Sequence, residues 1–190
     1  LFIKFKTIKK LMIVVICLII ISLVIVNYNQ ILKIIYPLHY KEIIFRYAEK
    51  YDLDPYLIAS IIRVESKFDK EATSQRGAIG LMQIMPATGK WIAKEIDIDD
   101  FTTEKLYKPE LNIKFGSWYL AHLKRIFDDD LTLVIAAYNG GQGNVNRWIE
   151  LKKWTGKHKD SEQIPFPETR DYVQKTVKTY RRYQKIYQSQ

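Results

Sequence analysis

Residues 54–65 read Asp-Pro-Tyr-Leu-Ile-Ala-Ser-Ile-Ile-Arg-Val-Glu, and they hold both a helix start and a buried stripe. Asp54 has the short acceptor side chain of an N-cap, and Pro55 suits the first helical position, where its missing N–H is no loss. Leu57, Ile58, Ile61 and Ile62 then recur at helical spacing, which predicts a helix with one face in a core. Glu65 lies three and four residues after Ile62 and Ile61 and extends that stripe. A carboxyl aimed at the core side loses hydration, which favours its neutral form and lets it hold a proton near neutral pH. The alternative is a last-turn charge that swings into solvent or pairs with Arg63 or Lys67.

Working outward from this helix, the period stays close to 3.6 and predicts an all-α body. Ile43, Ile44, Tyr47, Ala48 and Tyr51 form one stripe before it. After it come Trp91, Ile92 and Ile96, then Leu111 to Ile126, Leu131 to Tyr138, Val145 to Trp154, and a terminal helix with Tyr172, Val173, Val177, Tyr180 and Tyr187. Gly77 and Gly80, the Gly140-Gly141 pair with Gly143, and Pro165 with Pro167 separate these elements. The aromatic residues at helical spacing, Trp118 and Tyr119 included, read as core, as does His122 on its apolar face.

The N-terminal segment differs in kind. Residues 1–36 carry Lys4, Lys6, Lys9, Lys10 and Lys33 and no acid, so they hold +5 of the net +9. Leu11 to Val26 is a 16-residue apolar run whose clearly polar member is Ser22. At 1.5 Å per residue it spans about 24 Å, somewhat short of a hydrocarbon core of about 30 Å. A basic flank before an apolar run fits either a signal peptide or an anchor. No small-x-small pattern follows Val26 and no small residue precedes Cys17, which favours an uncleaved single-pass anchor over a cleaved signal or a lipid anchor. Lysines ahead of the run place the N-terminus in the cytoplasm and the body outside the cytoplasmic membrane. The organisation expected is a basic flank and anchor over 1–28, a juxtamembrane linker over 29–39 and a helical domain over 40–190.

One cysteine and three scattered histidines exclude a disulfide framework and argue against a metal site. No cofactor is expected. The excess positive charge raises nucleic acid as a partner, but no nucleic-acid motif is present, and much of the charge is a topology signal.

Beyond Glu65 the chain runs SKFDKEATSQRGAIGLMQIMP to Pro86. Gly77 and Gly80 permit a tight loop, and Gln83, alone among Leu81, Met82, Ile84 and Met85, needs a partner in backbone or in a ligand. The pair Glu65-Ser66, the run Gly80 to Pro86, Ala136-Ala137-Tyr138-Asn139-Gly140-Gly141, and Ile164-Pro165-Phe166 with Glu168-Thr169-Arg170-Asp171-Tyr172-Val173 together resemble, in order and spacing, the soluble-lytic-transglycosylase-like family. One departure is Gly-Gly after the asparagine, where that family more often has Ala-Gly.

The resemblance covers roughly residues 40 to 185. It implies a lysozyme-like fold and cleavage of the β-1,4 bond between N-acetylmuramic acid and N-acetylglucosamine in peptidoglycan, with the muramoyl C6 hydroxyl closing a 1,6-anhydro ring. Glu65 matches the family's catalytic glutamate, first a general acid and then a base. Tyr138 matches a tyrosine beside it that orients Glu65 or stabilises the transition state. Ser74, Gln83, Met85 and Glu168 match residues lining the sugar cleft. Asn139 is either a substrate contact or a helix cap, and Asp69 and Glu71 read as solvated loop charges. A hydrolytic muramidase and a noncatalytic wall-binding or assembly protein are the alternatives of the same fold.

Overall fold

The computed structural model describes residues 5–188, so Lys4 of the basic flank lies outside them. The chain divides into two compact units, Leu1–Leu38 and His39–Gln190.

The first unit contains α1 (Phe5–Val26) and α2 (Tyr28–Ile35). Among the described residues it holds the one helix long and apolar enough to cross a membrane, the twenty residues Thr7–Val26 with mean hydropathy 2.8 and no burial. Helix extends ahead of the purely apolar run, so the span reaches about 30 Å. At Asn27 the helix is interrupted but not ended: the side-chain amide donates to the Leu23 carbonyl at 2.8 Å, and the Ile31 N–H donates to the Asn27 carbonyl at 2.9 Å. The stretch read as a linker is thus helical over α2, because it has no Gly or Pro before Pro37.

The second unit is helical throughout: α3 (Lys41–Tyr51), α4 (Pro55–Glu65), α5 (Pro86–Glu95), α6 (Pro109–Ile126), α7 (Leu131–Gly140), α8 (Gln142–Glu150) and α9 (Pro167–Tyr187), with 3₁₀ turns at Thr103–Tyr107 and His158–Gln163. Among the described residues, extended pairing is limited to two isolated bridges, Thr73 with Ile79 and Ile79 with Ile84. The stripe that opened the sequence reading is the centre of the core, with Ile58, Ala59, Ile61 and Ile62 fully buried. Each such isoleucine contributes about 1.5–3 kcal/mol of transfer free energy. Helix α4 packs on α3 and, most extensively, on α9; α9 continues onto α7, α7 onto α6, and α6 back onto α3.

Asp54 joins the start of α4 to the end of α9. One carboxylate oxygen accepts the Tyr56 N–H at 2.7 Å as the N-cap. The other accepts the Tyr180 hydroxyl at 2.6 Å and the Gln184 amide at 3.1 Å. This sets the register of α9 along α4, and so determines which residues of α9 face Glu65.

Two expectations fail in detail. Helix α8 stops at Glu150, short of Trp154, because Lys152 adopts a left-handed conformation and the Lys153 N–H turns back to the Trp148 carbonyl at 2.8 Å; Trp154 is buried from the loop that follows. His122 is not a core histidine. It is half-buried and stacks on Trp118 at 5.4 Å, with Trp91 edge-on at 5.1 Å and itself exposed at the surface.

Candidate active site

Glu65 is the last residue of α4, and the loop to α5 folds back over it. Three side chains shape that loop. The Ser66 hydroxyl donates to the Leu81 carbonyl at 2.8 Å, fastening the loop to the end of the helix. Asn112, fully buried in α6, accepts the Met82 N–H at 2.7 Å and donates to the carbonyls of Ile79 at 2.9 Å and Leu106 at 2.8 Å. Gln83 sits at φ 48°, a strained position for a residue with a Cβ, held by its own amide donating to the carbonyls of Gly80 at 2.9 Å and Ala72 at 3.1 Å. Gly80 has φ +76°, and a Cβ there would lie 2.5 Å from both the Asn112 amide nitrogen and the Leu106 carbonyl, so only glycine fits.

The loop, α4, α7 and α9 enclose a cleft of about 660 Å³. All seven residues singled out in the sequence, Glu65, Ser74, Gln83, Met85, Tyr138, Asn139 and Glu168, line it. Burial pushes the Glu65 carboxyl up to about 7; the nearby Tyr172 hydroxyl opposes the rise and the negative charge of Glu168 adds to it. The solvated alternative for Glu65 is therefore not what the fold produces. Asp69 and Glu71, by contrast, are exposed loop charges, Asp69 accepting the Glu71 N–H at 2.9 Å.

Tyr138 does not donate to Glu65. Its hydroxyl donates to the Met82 carbonyl at 2.8 Å, tying α7 to the loop, and its ring rests against Tyr119 at 5.6 Å. Of the two alternatives open for it, a hydrogen bond that orients Glu65 is not seen; Tyr172, read from the sequence as core, is the tyrosine whose hydroxyl lowers the Glu65 pKa, while burial, and after it the Glu65 charge, raises the pKa of Tyr138. The Tyr172 hydroxyl is buried with no partner at hydrogen-bonding geometry, yet close enough to lower the Glu65 pKa. The pair is in reach and not bonded in this conformation. Asn139 is not a cap either: Gly141 takes that position with φ 84°, while the Asn139 carbonyl oxygen accepts the Thr169 hydroxyl at 2.8 Å, leaving its amide N–H groups for the cleft. Gln83 likewise spends its amide nitrogen on backbone, which leaves its carbonyl oxygen as an acceptor. Met85 presents an apolar surface, 40% exposed, at the start of α5. Glu168, in the first turn of α9, pairs with Arg76 at 3.1 Å.

Sequence reading missed three participants. Asn112 sits on the buried face of α6, three residues before Phe115, so a polar residue in an apolar stripe was the available signal, as it was for Glu65. Tyr172 gave no signal separable from its neighbours. Arg76 lies in a polar loop and carries none.

The second unit is thus an all-helical domain with an open cleft in which one half-buried carboxyl, Glu65, has its pKa raised to about 7 by burial. The model of the transglycosylase SLT domain matches residues 42–161, and the chain belongs to that family. It is 36% identical over 159 residues to a soluble lytic murein transglycosylase of Salmonella typhimurium, covering 82% of this chain and 24% of that one. It is 33% identical over 135 residues to membrane-bound lytic murein transglycosylase C of Actinobacillus pleuropneumoniae, covering 66% and 37%. Among solved structures, an inactive glutamate-to-glutamine mutant of lytic transglycosylase Slt from Pseudomonas aeruginosa superposes with a TM-score of 0.73 at 34% identity, over 82% of this chain and 25% of that one. The fold is thus the lysozyme-like helical one of these enzymes. The chain spans about a quarter of the length of the first curated relatives it matches.

Proposed function

We propose that this chain is a membrane-anchored peptidoglycan lytic transglycosylase. It cleaves the β-1,4 bond between N-acetylmuramic acid and N-acetylglucosamine and leaves 1,6-anhydro-muramoyl ends. The observation that supports this most is the Glu65 carboxyl in the cleft, which burial brings to a pKa of about 7. A group at that value is protonated in a large fraction of molecules at neutral pH and ionises readily once its proton is given away. Glu65 protonates the leaving glycosidic oxygen. The resulting carboxylate then takes the proton from the muramoyl C6 hydroxyl as that oxygen bonds to C1, so no water is consumed. Tyr172 faces Glu65 and stabilises it when it is ionised; Tyr138 fixes the loop that carries Gln83 and Met85; Ser74, Gln83, Met85 and Asn139 hold the glycan. The apolar helix Thr7–Val26 anchors the enzyme with its N-terminus inside and residues 40–190 on the wall side, in keeping with the membrane-bound relative. Protease added outside intact spheroplasts then digests the catalytic unit; its protection would reverse the topology.

The presence of Glu168 in the cleft gives the hydrolytic muramidase a footing, since ordinary glycosidases pair two carboxyls. Within the same cleft Glu168 pairs with Arg76 at 3.1 Å, both side chains being largely exposed. Mass spectrometry of digested sacculi separates the two: muramoyl products one water lighter than the reducing sugar are expected, and intact reducing ends would establish hydrolysis instead.

The rate of the acid step falls about tenfold per pH unit above 7, where Glu65 loses its proton. Tyr172→Phe removes the group that lowers this pKa, so the alkaline limb of the pH–rate profile moves to higher pH. An unmoved limb would show that Tyr172 does not act on Glu65.

A further inference from the structure

The C-terminal half of α9 forms a second concave surface, away from the cleft. From Tyr172 to Gln190 the sequence has five cations, Lys175, Lys178, Arg181, Arg182 and Lys185, and no acid. Lys178, Arg181, Arg182 and Lys185 fall at i, i+3, i+4 and i+7, so they share one face over about 10 Å of helix. With Gln174, and with His158 from the 3₁₀ turn that packs on α9, they line a groove of about 400 Å³. Among the described residues no acid lines it, and it shares no residue with the catalytic cleft. Gln174, its first residue on α9, lies about 9 Å along the helix from Glu168. The neighbouring acids are engaged outside it. Glu162 accepts the Gln174 amide at 2.7 Å and pairs with Arg170 at 3.7 Å, Asp171 pairs with Lys175 at 3.9 Å, and Asp160 accepts the Thr155 hydroxyl at 2.6 Å. Lys178 and Arg181 make no ion pair among the described residues.

Such an array works against the helix that carries it. Lys178 with Arg182, and Arg181 with Lys185, are like charges one turn apart, which repel, and the helix dipole offsets this only in the last turn. Cations repeated about every 5.4 Å along a groove suit a ligand whose negative charges also repeat, rather than a single anion. A lipid surface fits poorly, because among the described residues no large apolar side chain of α9 is exposed to enter it. A nucleic acid fits poorly too, since no Phe, Tyr or Trp lines the groove for its bases to stack on. The carboxylates of peptidoglycan hang from side branches, whereas a linear phosphodiester carries its charge within the chain and can lie along a groove. We propose that this groove binds a linear polyol-phosphate polymer of the cell wall, the Arg181 guanidinium forking onto phosphate oxygens and Lys178 and Lys185 acting as point charges beside it. This rests on the wall-side placement proposed above and goes beyond the lytic reaction. The polymer holds the enzyme where the wall is rich in it, while the cleft at the other end of α9 stays open to glycan.

The test places the full chain in phosphatidylcholine nanodiscs, which carry no net charge, and titrates it by calorimetry with a short poly(glycerol phosphate). The wild type binds the polymer, and added salt weakens binding. The double variant Lys178→Gln with Arg181→Gln, at two exposed positions, binds about tenfold more weakly and with a shallower slope of log K against log salt, because two counterion-releasing contacts are gone. Lys90→Gln with Lys94→Gln removes the same charge from exposed positions on α5 and leaves binding as it was. Unchanged binding in the first double variant, or an equal loss in both, overturns the proposal. So does equal binding of a single-stranded oligodeoxynucleotide or a polyglutamate of the same charge, or displacement of the polymer by phosphatidylglycerol vesicles, which would assign the face to lipid. Binding is read without catalysis. A chain that binds the polymer but releases no anhydro ends overturns the transglycosylase reading and leaves the groove standing, whereas protection of the catalytic unit from external protease overturns the wall-side placement and this proposal together.

Discussion

Glu65→Gln lowers turnover by about 10³–10⁴-fold and at the same time stabilises the fold. The first effect follows from the proposed mechanism, in which one carboxyl acts as both acid and base, each role of a positioned group being worth about 10²–10⁴. The second follows from the burial that tunes it. The Glu65 pKa rises from the ordinary 4.5 to about 7 on folding, so the folded state holds the proton more tightly than the unfolded chain. For a raised pKa the associated stability is fully present below about 4.5 and is lost as pH climbs through 7. Above that, a charged carboxyl is held where water is scarce, at a cost of about 2–3 kcal/mol, allowing for the part of the side chain still in contact with solvent. Glutamine has nearly the same shape and no charge. Urea unfolding should therefore show the variant more stable than wild type at pH 8 and nearly equal to it at pH 4. A variant that retains lytic activity would remove Glu65 from the chemistry. A stability difference independent of pH would mean that Glu65 is not buried as described.

Asn112→Ala is expected to destabilise the catalytic unit by about 3–5 kcal/mol, although Asn112 touches no substrate. The side chain is fully buried and satisfies three backbone groups, the Met82 N–H and the carbonyls of Ile79 and Leu106. Truncation leaves those groups without a partner in an enclosed space, each costing about 1–3 kcal/mol before any relaxation. It also frees the loop that places Gln83 and Met85, so kcat/KM falls in the surviving folded fraction. Equilibrium unfolding and kinetics on the same preparation check both. A loss under about 1 kcal/mol with full activity would show that the loop is held by other contacts, such as Ser66 on Leu81 or Tyr138 on Met82.

These two residues show how legible the site was. Glu65 and Asn112 are both polar residues on apolar helical faces, and periodicity exposes such a conflict in either case. It does not say which of them faces an open cleft and which a closed core, since that depends on what lies opposite. Opposite Glu65 is α9, roughly a hundred residues later in the chain; opposite Asn112 is its own active-site loop. The residues the motifs singled out, Glu65, Ser74, Gln83, Met85, Tyr138, Asn139 and Glu168, line one cleft, and of the alternatives open for Tyr138 and Asn139 the structure shows neither a hydrogen bond from Tyr138 to Glu65 nor a cap at Asn139. Hydrogen bonds to Met82 and from Thr169 are relations between distant segments, and local pattern carries no trace of them.

The sequence by itself determined the helical class of the catalytic unit, the apolar N-terminal span and the identity of α4 as the central helix, because a 3.6-residue period and a cap such as Asp54-Pro55 are local physics. Glycines at 77 and 80 likewise announced a tight loop without any knowledge of its surroundings. Only the tertiary structure decided the Glu65 pKa, the contacts of Tyr138 and Tyr172, and the pairing of Arg76 with Glu168 in the cleft. Each of these depends on the dielectric and the neighbours that α9 and the loop bring to the end of α4. Their placement is set by Asp54, Tyr180, Asn112 and Ser66, and those contacts exist only once segments far apart in the chain have packed together.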